Sequence, residues 1–383
     1  MKKFIYSLFI CSSAFVGSLN ALEFGYMGNQ AFGMGGSGVG VAHSPFSAYY
    51  NPALQSVDKG FKIGYSLGVR LKENNLSELS KIPLSSIADI NALNNILQDN
   101  SMTMTSENGV ALQIPIFLGP SLSSSIGIGL FYTKRGSVNF TGNITSGTDI
   151  NSATNAYIIT NGLDIVELPL SYAIRISSAV GHFHIGASAK YIFAQHSLVS
   201  EKFSDNTVIS DSITKAFSAS GGVSTNTYGI DIGLAYSLPL DVFVIGVVGK
   251  NLNSPDINTS GIDGLKLDSQ YRLGISTKVI PMTTIALDVD LKPNIEFKGL
   301  GNGMPKDKVQ YVSLGGMFNA GIFDFRLGVA KNILKGDEGW LISGGLGFTF
   351  IDISIFSNTN LVKINNVKMP SEFGVKIGGG FSF

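Results

Sequence analysis

Phe373-Gly-Val-Lys-Ile-Gly-Gly-Gly-Phe-Ser-Phe383, the last stretch of the chain, decides the fold class. Side chains of one parity are apolar, whereas those of the other parity are glycine, serine or the charged Lys376. A β-strand points successive side chains to opposite faces, so the stretch predicts a strand with one apolar face and one small or polar face. We therefore ask whether other segments follow the same pattern and whether the sheet closes into a barrel.

The composition favours a membrane β-barrel. Of the 383 residues, 46 are glycine and only 14% are charged, compared with about 25% charged residues in ordinary soluble domains. No apolar run of about 20 residues follows the N-terminal region, which argues against membrane-spanning helices. Apolar residues spread over many short segments are typical of transmembrane barrels. The formal net charge is zero, so the sequence predicts no nucleic-acid partner.

Four further segments repeat the alternation of the last strand. They cover 227–236, 271–276, 284–292 and 323–330, and their charged residues fall only on the polar parity. A Lys or Arg that faces lipid at mid-bilayer costs ~2–4 kcal/mol, so the apolar parity is predicted to face lipid and the charged parity the lumen. The lumen positions singled out in this way are Arg272, Asp288, Asp290 and Arg326. The segments 242–248 and 351–356 alternate less cleanly, and their faces are not assigned.

Short and long connectors alternate along the chain. Tight turns are predicted at 119–121, 178–181, 239–241, 279–281 and 319–321, and longer polar connectors near 74–100, 142–162, 200–222, 254–266, 299–307 and 332–339. Short periplasmic turns and long extracellular loops predict an antiparallel transmembrane β-barrel of about 14 strands with both termini on the periplasmic side. Outer-membrane barrels end on an aromatic strand, so Phe381 and Phe383 are predicted to be the signal that the barrel assembly machinery reads.

The N-terminal region predicts export. Lys2 and Lys3 precede a short apolar run that extends to Val16, which is the form of a secretory signal peptide covering 1–21. The single cysteine, Cys11, lies within that run, so the mature chain is expected to lack disulfides, thiolate metal sites and cysteine nucleophiles. The expected location is the outer membrane of a Gram-negative bacterium.

A glycine-rich segment, residues 22–58, precedes the predicted strands. Four glycines crowd its middle, Gly33, Gly35, Gly36 and Gly38, and the stretch from Gly33 to Gly38 fits the dinucleotide-binding pattern G-x-G-x-x-G. That fingerprint requires a buried strand before it and a helix after it, and here it follows an export signal. The preferred interpretation is therefore backbone packed closely in a confined space.

Two motifs of this segment carry a family resemblance: Phe32-Gly-Met-Gly-Gly-Ser-Gly-Val-Gly-Val-Ala42 and Ala48-Tyr-Tyr-Asn-Pro-Ala-Leu54. The second contains Asn51 and Pro52, which also predict the start of a short helical turn. Further matches lie downstream, at 249–253, 265–274 and 285–291. The sequence resembles the TraF-like barrel family, labelled conjugal transfer protein TraF, within the FadL/TodX superfamily of outer-membrane hydrophobic-compound transporters. The resemblance covers nearly the whole mature chain and implies a barrel at 59–383 whose lumen is plugged by residues 22–58.

The connector at 74–100 predicts helices. Its leucines and isoleucines recur near helical spacing, and Pro83 is expected to separate two short helices. Two interpretations stay open: an amphipathic cap over the barrel mouth or the outer leaflet, and a helix pair that packs on neighbouring loops.

Three groups of residues are candidates for chemistry. Asp288 and Asp290 would point into the lumen about 7 Å apart, a spacing that suits a cation or an acid–base pair. Opposite charges at other lumen positions favour lumen lining instead. His182 and His184 form a two-ligand corner without a visible third metal ligand. The lipase elbow G-x-S-x-G does not fit Gly35-Gly-Ser-Gly38, so the sequence predicts no enzyme, no metal and no cofactor.

The function implied by the resemblance is passive passage of small hydrophobic molecules, fatty-acid-like or aromatic, across the lipid of the outer membrane. The residues implied to form the plug are Gly33, Gly35, Gly36, Gly38, Asn51 and Pro52. This plug either moves when a ligand passes or is a fixed cork. A second hypothesis, suggested by the TraF label, is a non-enzymatic barrel that anchors or assists a secretion, conjugation or surface-assembly system. A gap in the barrel wall with an apolar pocket behind it would favour transport.

Overall fold

The computed structural model describes residues 22–58, 60–74, 100–119, 121–141, 157–202, 211–212, 214–216, 222–257, 266–297, 307–364 and 367–383. The predicted signal peptide and residues 75–99 of the predicted helical connector lie outside these ranges. Within the described residues, fourteen strands form one closed antiparallel barrel, which confirms the predicted fold class. None of the described helices has both the length and the apolar character needed to cross a membrane.

The strands in chain order are β1 (Lys62–Asn74), β2 (Ser101–Phe117), β3 (Leu122–Thr141), β4 (Tyr157–Ser178), β5 (Gly181–Lys202), β6 (Val223–Ser237), β7 (Phe243–Lys250), β8 (Gln270–Thr277), β9 (Thr283–Asp290), β10 (Asn294–Ile295), β11 (Lys308–Val309), β12 (Tyr311–Asn319), β13 (Phe323–Asn332), β14 (Leu341–Phe348), β15 (Ile351–Asn358), β16 (Leu361–Ile364), β17 (Val367–Pro370) and β18 (Glu372–Ser382). Two short hairpins, β10–β11 and β16–β17, are separate two-stranded sheets. The barrel strands follow each other as a meander, and β1 pairs with β18 from Lys62↔Ser382 onward to close it.

The tight turns lie at the end of the barrel where β1 begins and β18 ends. The predicted turns at 119–121, 178–181, 239–241, 279–281 and 319–321 all connect paired neighbours, which confirms them. A further turn, between β14 and β15, was not predicted, and neither was the β16–β17 hairpin at the opposite end. We call the end with the tight turns the inner end and the opposite one the outer end.

The assignment of strand faces is confirmed where the sequence alternates. On β18, Ile377 is 51% exposed on the outside whereas Lys376 is 1% exposed on the inside. The two unassigned segments have apolar residues on both faces, because Val244, Val248 and Phe356 point inward and are buried. These inward residues contact the segment that fills the lumen.

The barrel is much taller on one side. Strands β4 and β5 each have 22 residues, whereas β7, β8 and β9 each have 8. A transmembrane β-strand needs about 9–11 residues, so β4 and β5 extend well beyond what a membrane would cover.

Residues 22–58, the inner segment, run through the lumen before β1 begins. The segment contains helix α1 (Asn29–Gly33), helix α2 (Ser47–Tyr50) and a 3-10 turn, Pro52–Ser56. Its aromatic rings form the core: Phe24 stacks on Tyr50 with centroids 6.0 Å apart, and Phe32 meets the wall residue Phe356 at 4.9 Å. The lumen is thus a packed core, which is why inward-facing wall residues are buried.

Candidate functional site

Inward-facing glycines let the inner segment touch the backbone of the wall. A Cβ on Gly328 of β13 would collide with the backbone of Met34 and Gly35, and one on Gly315 of β12 with the carbonyl of Met34. Equivalent contacts recur on three more strands, at Gly186 of β5, Gly246 of β7 and Gly274 of β8. Glycine is required here because backbone approaches backbone. We call strands β5–β9, β12 and β13 the sealed wall.

Of the four plug glycines predicted from sequence, Gly35 meets the backbone of Val329 on β13, Gly33 meets β14 and β15, and Gly36 and Gly38 face aromatic rings of the inner segment itself. Gly35 and Gly36 have φ of 71° and 93°, a left-handed conformation that favours glycine. The Gly35 amide donates to Ser343 Oγ at 2.8 Å, and Ser343 Oγ donates in turn to the Gly33 carbonyl at 3.0 Å. Gly38 faces the Tyr50 ring, where a Cβ would lie 2.7 Å from ring carbons.

Asn51 fastens the inner segment to two strands of the sealed wall. Its side-chain amide donates to the carbonyls of Leu234 on β6 (3.2 Å) and Val247 on β7 (3.4 Å). Its side-chain oxygen accepts from the Ala53 amide at 3.0 Å and caps the 3-10 turn in which Pro52 is the first residue. The predicted helical start at 51–52 is therefore present, as a 3-10 turn.

Of the lumen charges, Asp288 and Arg272 contact the inner segment, and Asp290 pairs with Arg272. Asp288 accepts hydrogen bonds from the amides of Gly38 (2.8 Å) and Val39 (2.9 Å). Arg272 Nε donates to Asp290 at 2.6 Å, and its guanidinium lies 4.0 Å from the Phe24 ring centroid. The two carboxylates thus have different partners, which does not fit a shared cation or an acid–base pair.

Arg326 lies at the inner end, beside an open depression. Its guanidinium pairs with Asp324 and with Asp352, the latter at 2.6 Å. All three line a cavity of about 160 Å³ that also borders Asn29 and Pro45 of the inner segment. We call this cavity the inner vestibule.

Beside the β5 edge of the sealed wall, the barrel has a break in its hydrogen-bond ladder. Between β3 and β4, residues 129–130 and 168–169 form no ladder pair, although the residues on both sides of them do. Pro169 has no N–H to donate, and a Cβ on Gly129 would lie only 2.7 Å from the Phe131 ring, so a side chain there would clash. We call these four residues the wall break.

A second interruption, between β1 and β2, is closed by side chains. Residues 67–68 and 107–108 form no ladder pair, but Asn108 Oδ1 accepts from the Gly68 amide at 3.1 Å and Ser106 Oγ donates to the Gly68 carbonyl at 3.1 Å. Among the hydrogen bonds of the described residues, no side chain makes such a substitution at the wall break.

A cavity lies directly behind the wall break. It measures about 20 Å³, room for about one water molecule, and its apolar lining includes Pro45, Tyr49, Phe131 and Pro169. On the outer surface, the residues around the break are apolar and exposed: Ile128, Leu130, Leu168 and Leu170. The wall break therefore has apolar residues on its outer surface and an apolar cavity lining on its lumen side.

The polar end of this cavity has paired charges. Lys190 of β5 lies 3.0 Å from Glu167 and 3.1 Å from Asp231, and it also donates to Asn251 at 2.7 Å. The cavity is thus amphipathic, with an apolar end at the wall break and a charged end towards β6 and β7. It borders the inner vestibule through Pro45, which lines both.

Glu23 holds the start of the inner segment at the outer end. Its carboxylate accepts from Arg135 of β3 at 2.8 Å, from Arg70 of β1 at 3.3 Å and from the Phe297 amide at 3.1 Å. The Glu23 amide also donates to the Ile295 carbonyl at 3.1 Å. The segment is therefore tied to the wall at both of its ends.

At the inner end, Asp58 is the corresponding tie. It lies 3.0 Å from His43 Nδ1 and 3.1 Å from Lys62 Nζ. Burial by itself raises the pKa of the Asp58 carboxyl, but the hydrogen bond from His43 and the charge of Lys62 outweigh it and hold that pKa well below its usual value.

The two histidines that were considered as metal ligands do not form a metal site with a third ligand among the described residues. His184 is buried, with Nδ1 2.9 Å from Ser56 Oγ and Nε2 3.0 Å from Ser237 Oγ. The His182 ring is 6.4 Å away. In the described part of the chain, no group of three His, Cys, Asp or Glu residues is placed to hold a metal ion.

Sequence reasoning missed the residues of the wall break and the ties at Glu23 and Asp58. Pro169 within an otherwise regular strand was the available signal, because proline in a central strand marks a missing ladder bond. Glu23 had a weaker signal, a lone carboxylate next to a glycine-rich run. Phe381 and Phe383 lie on the outer face at the inner end, with parallel rings 6.2 Å apart, and their role in assembly stays a prediction.

Comparison with known proteins adds a family and a fold. Residues 48–290 match the family described as F plasmid transfer operon, TraF, protein. No curated protein matches the sequence significantly.

Several solved structures share the fold. The Ralstonia pickettii toluene transporter TbuX has a TM-score of 0.60 at 14% identity, over 94% of this chain and 99% of that one. The Pseudomonas putida toluene transporter TodX has a TM-score of 0.58 at 14% identity, over 94% and 99%. The CymD monoaromatic hydrocarbon channel has a TM-score of 0.58 at 15% identity, over 95% and 99%. At these identities the similarity shows a common barrel fold.

Proposed function

We propose that this chain, which belongs to the family of the F plasmid transfer operon TraF protein, is an outer-membrane barrel that passes small hydrophobic molecules passively through its wall break. The proposal adopts for this protein the kind of cargo that toluene transporters and hydrocarbon channels of the same fold carry. It is argued below from the wall, the cavity and the inner segment.

The observation that carries the proposal is the wall break with an apolar cavity behind it. In a membrane, Leu130 and Leu168 would face acyl chains, and Phe131 and Pro169 line the cavity on the other side of the same wall. An apolar molecule dissolved in the bilayer would then meet apolar surface where it crosses the wall. Such a molecule would cross the wall sideways instead of crossing the aqueous mouth.

The inner segment is the plug in this proposal. It fills the lumen and leaves a small cavity next to the wall break, bordered by Pro45 and Tyr49. The cavity is too small for an aromatic ring, so passage requires a local shift of the chain near Pro45. That shift would connect the cavity with the inner vestibule, which opens at the inner end.

The outer membrane is the location that fits the outside of the barrel. The apolar outer face, the alternation of short turns with long connectors and the aromatic C-terminal strand all suit a barrel inserted with its inner end towards the periplasm. Export by the signal peptide at 1–21 and recognition of Phe381 and Phe383 by the assembly machinery belong to the same proposal.

The test is uptake of labelled toluene into liposomes that contain the purified barrel. Faster uptake than into empty liposomes, without any energy source, is the expected result. Uptake at the rate of empty liposomes would refute transport. Liposomes with an unrelated barrel of the same strand number control for leakiness caused by insertion.

The family match favours one second candidate function, a barrel that anchors or assists a secretion or conjugation system. In that case the long outer extension of β2–β5 would be the natural contact surface, since it extends beyond the membrane-sized part of the barrel. Crosslinking in cells that captures one defined partner through this extension, together with no toluene uptake, would support this candidate.

A further inference from the structure

The β16–β17 hairpin at the outer end carries two lysines that face each other. Lys363 and Lys368 are direct partners in its ladder, and both are exposed. Directly opposite residues of an antiparallel pair share one face, with Cβ atoms about 4.5–5.5 Å apart, and like charges at that spacing destabilise the pair. Among the described residues no carboxylate lies within 4.0 Å of either ammonium, whereas Lys72 and Lys335 at the same end have such partners. The hairpin therefore presents two positive charges side by side.

The height of these charges above the membrane follows from β18. The first outward-facing apolar residue of β18 at the outer end is Phe373, which is 38% exposed, and Lys368 precedes it by five residues. With a rise of about 3.3 Å per residue and a strand tilt of about 40°, Lys368 lies at most roughly 13 Å above Phe373. Lysine side chains extend their ammonium groups towards the membrane interface. Both ammonium groups can therefore reach the polar headgroup layer, which lies next to the hydrocarbon core.

The only tryptophan of the chain lies at the base of the same hairpin. Trp340 is 52% exposed; its carbonyl accepts from the Thr359 amide at 2.9 Å, and its amide donates to Thr359 Oγ1 at 2.8 Å. Tryptophan is enriched where a membrane meets water. Further out, Leu361 is 58% exposed and shares a face of the hairpin with Lys363, two residues along the strand. This face is therefore apolar near the membrane and positively charged further out.

We propose that Lys363 and Lys368 together bind one phosphate group of a lipid in the outer leaflet. Two ammonium groups on neighbouring strands can both reach a single phosphate, whose several oxygens accept charge-assisted hydrogen bonds. The anion offsets the repulsion between the lysines, and Leu361 contacts the apolar part of the same lipid. The inference rests on the proposed outer-membrane location and is independent of the proposed cargo.

A hairpin that merely faces water makes a different prediction. Lys363 and Lys368 would then be two solvated surface lysines, and their side chains would point away from each other to reduce the repulsion. Lipids with and without phosphate would bind such a barrel equally well, because acyl chains on the wall would supply all of the affinity. The two roles are therefore separable by a comparison of lipids that differ only in phosphate.

The experiment is a titration of the detergent-solubilised barrel with lipid A, a phosphorylated and acylated sugar, and with lipid A from which the phosphates have been removed. Native mass spectrometry gives the fraction of the barrel with one bound lipid at each concentration. The wild-type barrel is expected to bind the phosphorylated lipid at least about tenfold more tightly, as for a charge-assisted contact. The double variant Lys363→Gln, Lys368→Gln should lose this preference, and Lys363→Arg, Lys368→Arg should keep it.

The matched control is the double variant Lys202→Gln, Lys308→Gln. Both lysines are exposed at the outer end, and their ladder partners are uncharged, Tyr157 and Ile295. The control removes the same total charge without touching a facing lysine pair, so its preference for the phosphorylated lipid should equal that of the wild type. All four positions are exposed, so these variants are expected to fold.

Three results would overturn the proposal. They are equal binding of the two lipids by the wild-type barrel, a preference for phosphate that survives in Lys363→Gln, Lys368→Gln, and binding of inorganic pyrophosphate as tight as that of lipid A. The last result would assign the site to a soluble phosphate compound instead of a lipid. Toluene uptake is measured separately, so a failure of this inference and a failure of the proposed function are distinguishable.

Discussion

The sealed wall and the wall around β2–β4 contact the inner segment in different ways. On the sealed wall, glycines such as Gly246 and Gly328 bring backbone against backbone, and Asn51 and Asp288 add hydrogen bonds. On the β2–β4 side, the contact runs through side chains, leaves a cavity and faces a ladder that is interrupted at Pro169. Backbone contacts at glycine therefore distinguish the sealed wall, and the β2–β4 side is where side-chain contacts leave a small cavity beside the inner segment.

This difference suggests how one barrel could hold its plug firmly and still let the proposed hydrophobic cargo pass. Backbone contacts at glycine are intolerant of displacement because protein interiors are densely packed. Side-chain contacts around a cavity yield more easily, because side chains change rotamer without moving a strand. A hydrophobic molecule would then enter on the yielding side while the sealed wall keeps the lumen closed to ions.

The largest effect is expected from adding bulk to the sealed wall. Gly328→Leu places a side chain where Met34 and Gly35 lie, and overpacking of this kind typically costs about 1–3 kcal/mol or more. The inner segment should be displaced, and the ion conductance of the barrel in a planar bilayer should rise from near zero to that of an open pore.

Gly316→Leu is the matched control for this variant. Gly316 lies on β12 with no atom within 4 Å of an added Cβ, so its conductance should equal that of the wild type. A closed Gly328→Leu barrel that is otherwise well folded would show that the glycine contacts do not hold the plug.

The next effect concerns the wall break. Pro169→Val restores an N–H at the interruption and allows β3 and β4 to pair, with a gain of about 0.5–1.5 kcal/mol for the restored hydrogen bond. Toluene uptake into liposomes should fall up to about tenfold, since 1.4 kcal/mol corresponds to a factor of ten.

The control for the wall break is Pro115→Val on β2. Pro115 pairs with Ser125 within an uninterrupted ladder, so its replacement should leave uptake unchanged. If Pro169→Val transports at the wild-type rate, the wall break is not the route.

The sequence allowed the barrel to be predicted but not its division into two sides. Strand faces are predicted from the cost of placing charge in lipid, and in the structure Arg272 is buried inside the barrel and Ile377 is exposed on its outside. The inward apolar residues Val248 and Phe356 obscured that pattern, because they are explained only by the inner segment that they touch. That segment crosses the lumen far from them in sequence.

Parts of the candidate site could be predicted only where the structure depends on residues that are neighbours in the chain. The plug glycines and the Asn51–Pro52 start could be recognised because close approach and capping depend on neighbouring residues. The wall break depends on the register between β3 and β4. That register is not contained in a single segment of sequence.

A smaller effect is expected at Asn51. Asn51→Ala removes the bonds to Leu234, Val247 and Ala53, and the loss of a buried polar side chain of this kind costs about 1–3 kcal/mol. The temperature at which the folded barrel converts to its slower-migrating form in electrophoresis should fall by several degrees. Asn226→Ala, at an exposed position of β6, is the control and should leave that temperature unchanged.

The smallest effect is expected at Asp58, the tie at the inner end. Because the pKa of Asp58 is lower in the folded barrel than in the unfolded chain, its ion pairs with His43 and Lys62 stabilise the fold at neutral pH. This contribution is complete above the unfolded pKa of ~3.9 and is lost as the pH falls through the lower folded value. The wild-type barrel should therefore lose thermal stability below about pH 4 more steeply than Asp58→Asn, which has no carboxylate to protonate. Asp337→Asn, at an exposed position of an outer loop, should keep the wild-type slope. If stability falls equally steeply with pH in the wild type and in Asp58→Asn, the ion pairs of Asp58 do not stabilise the packing of the inner segment. The loosely held part of that segment would then include its inner end.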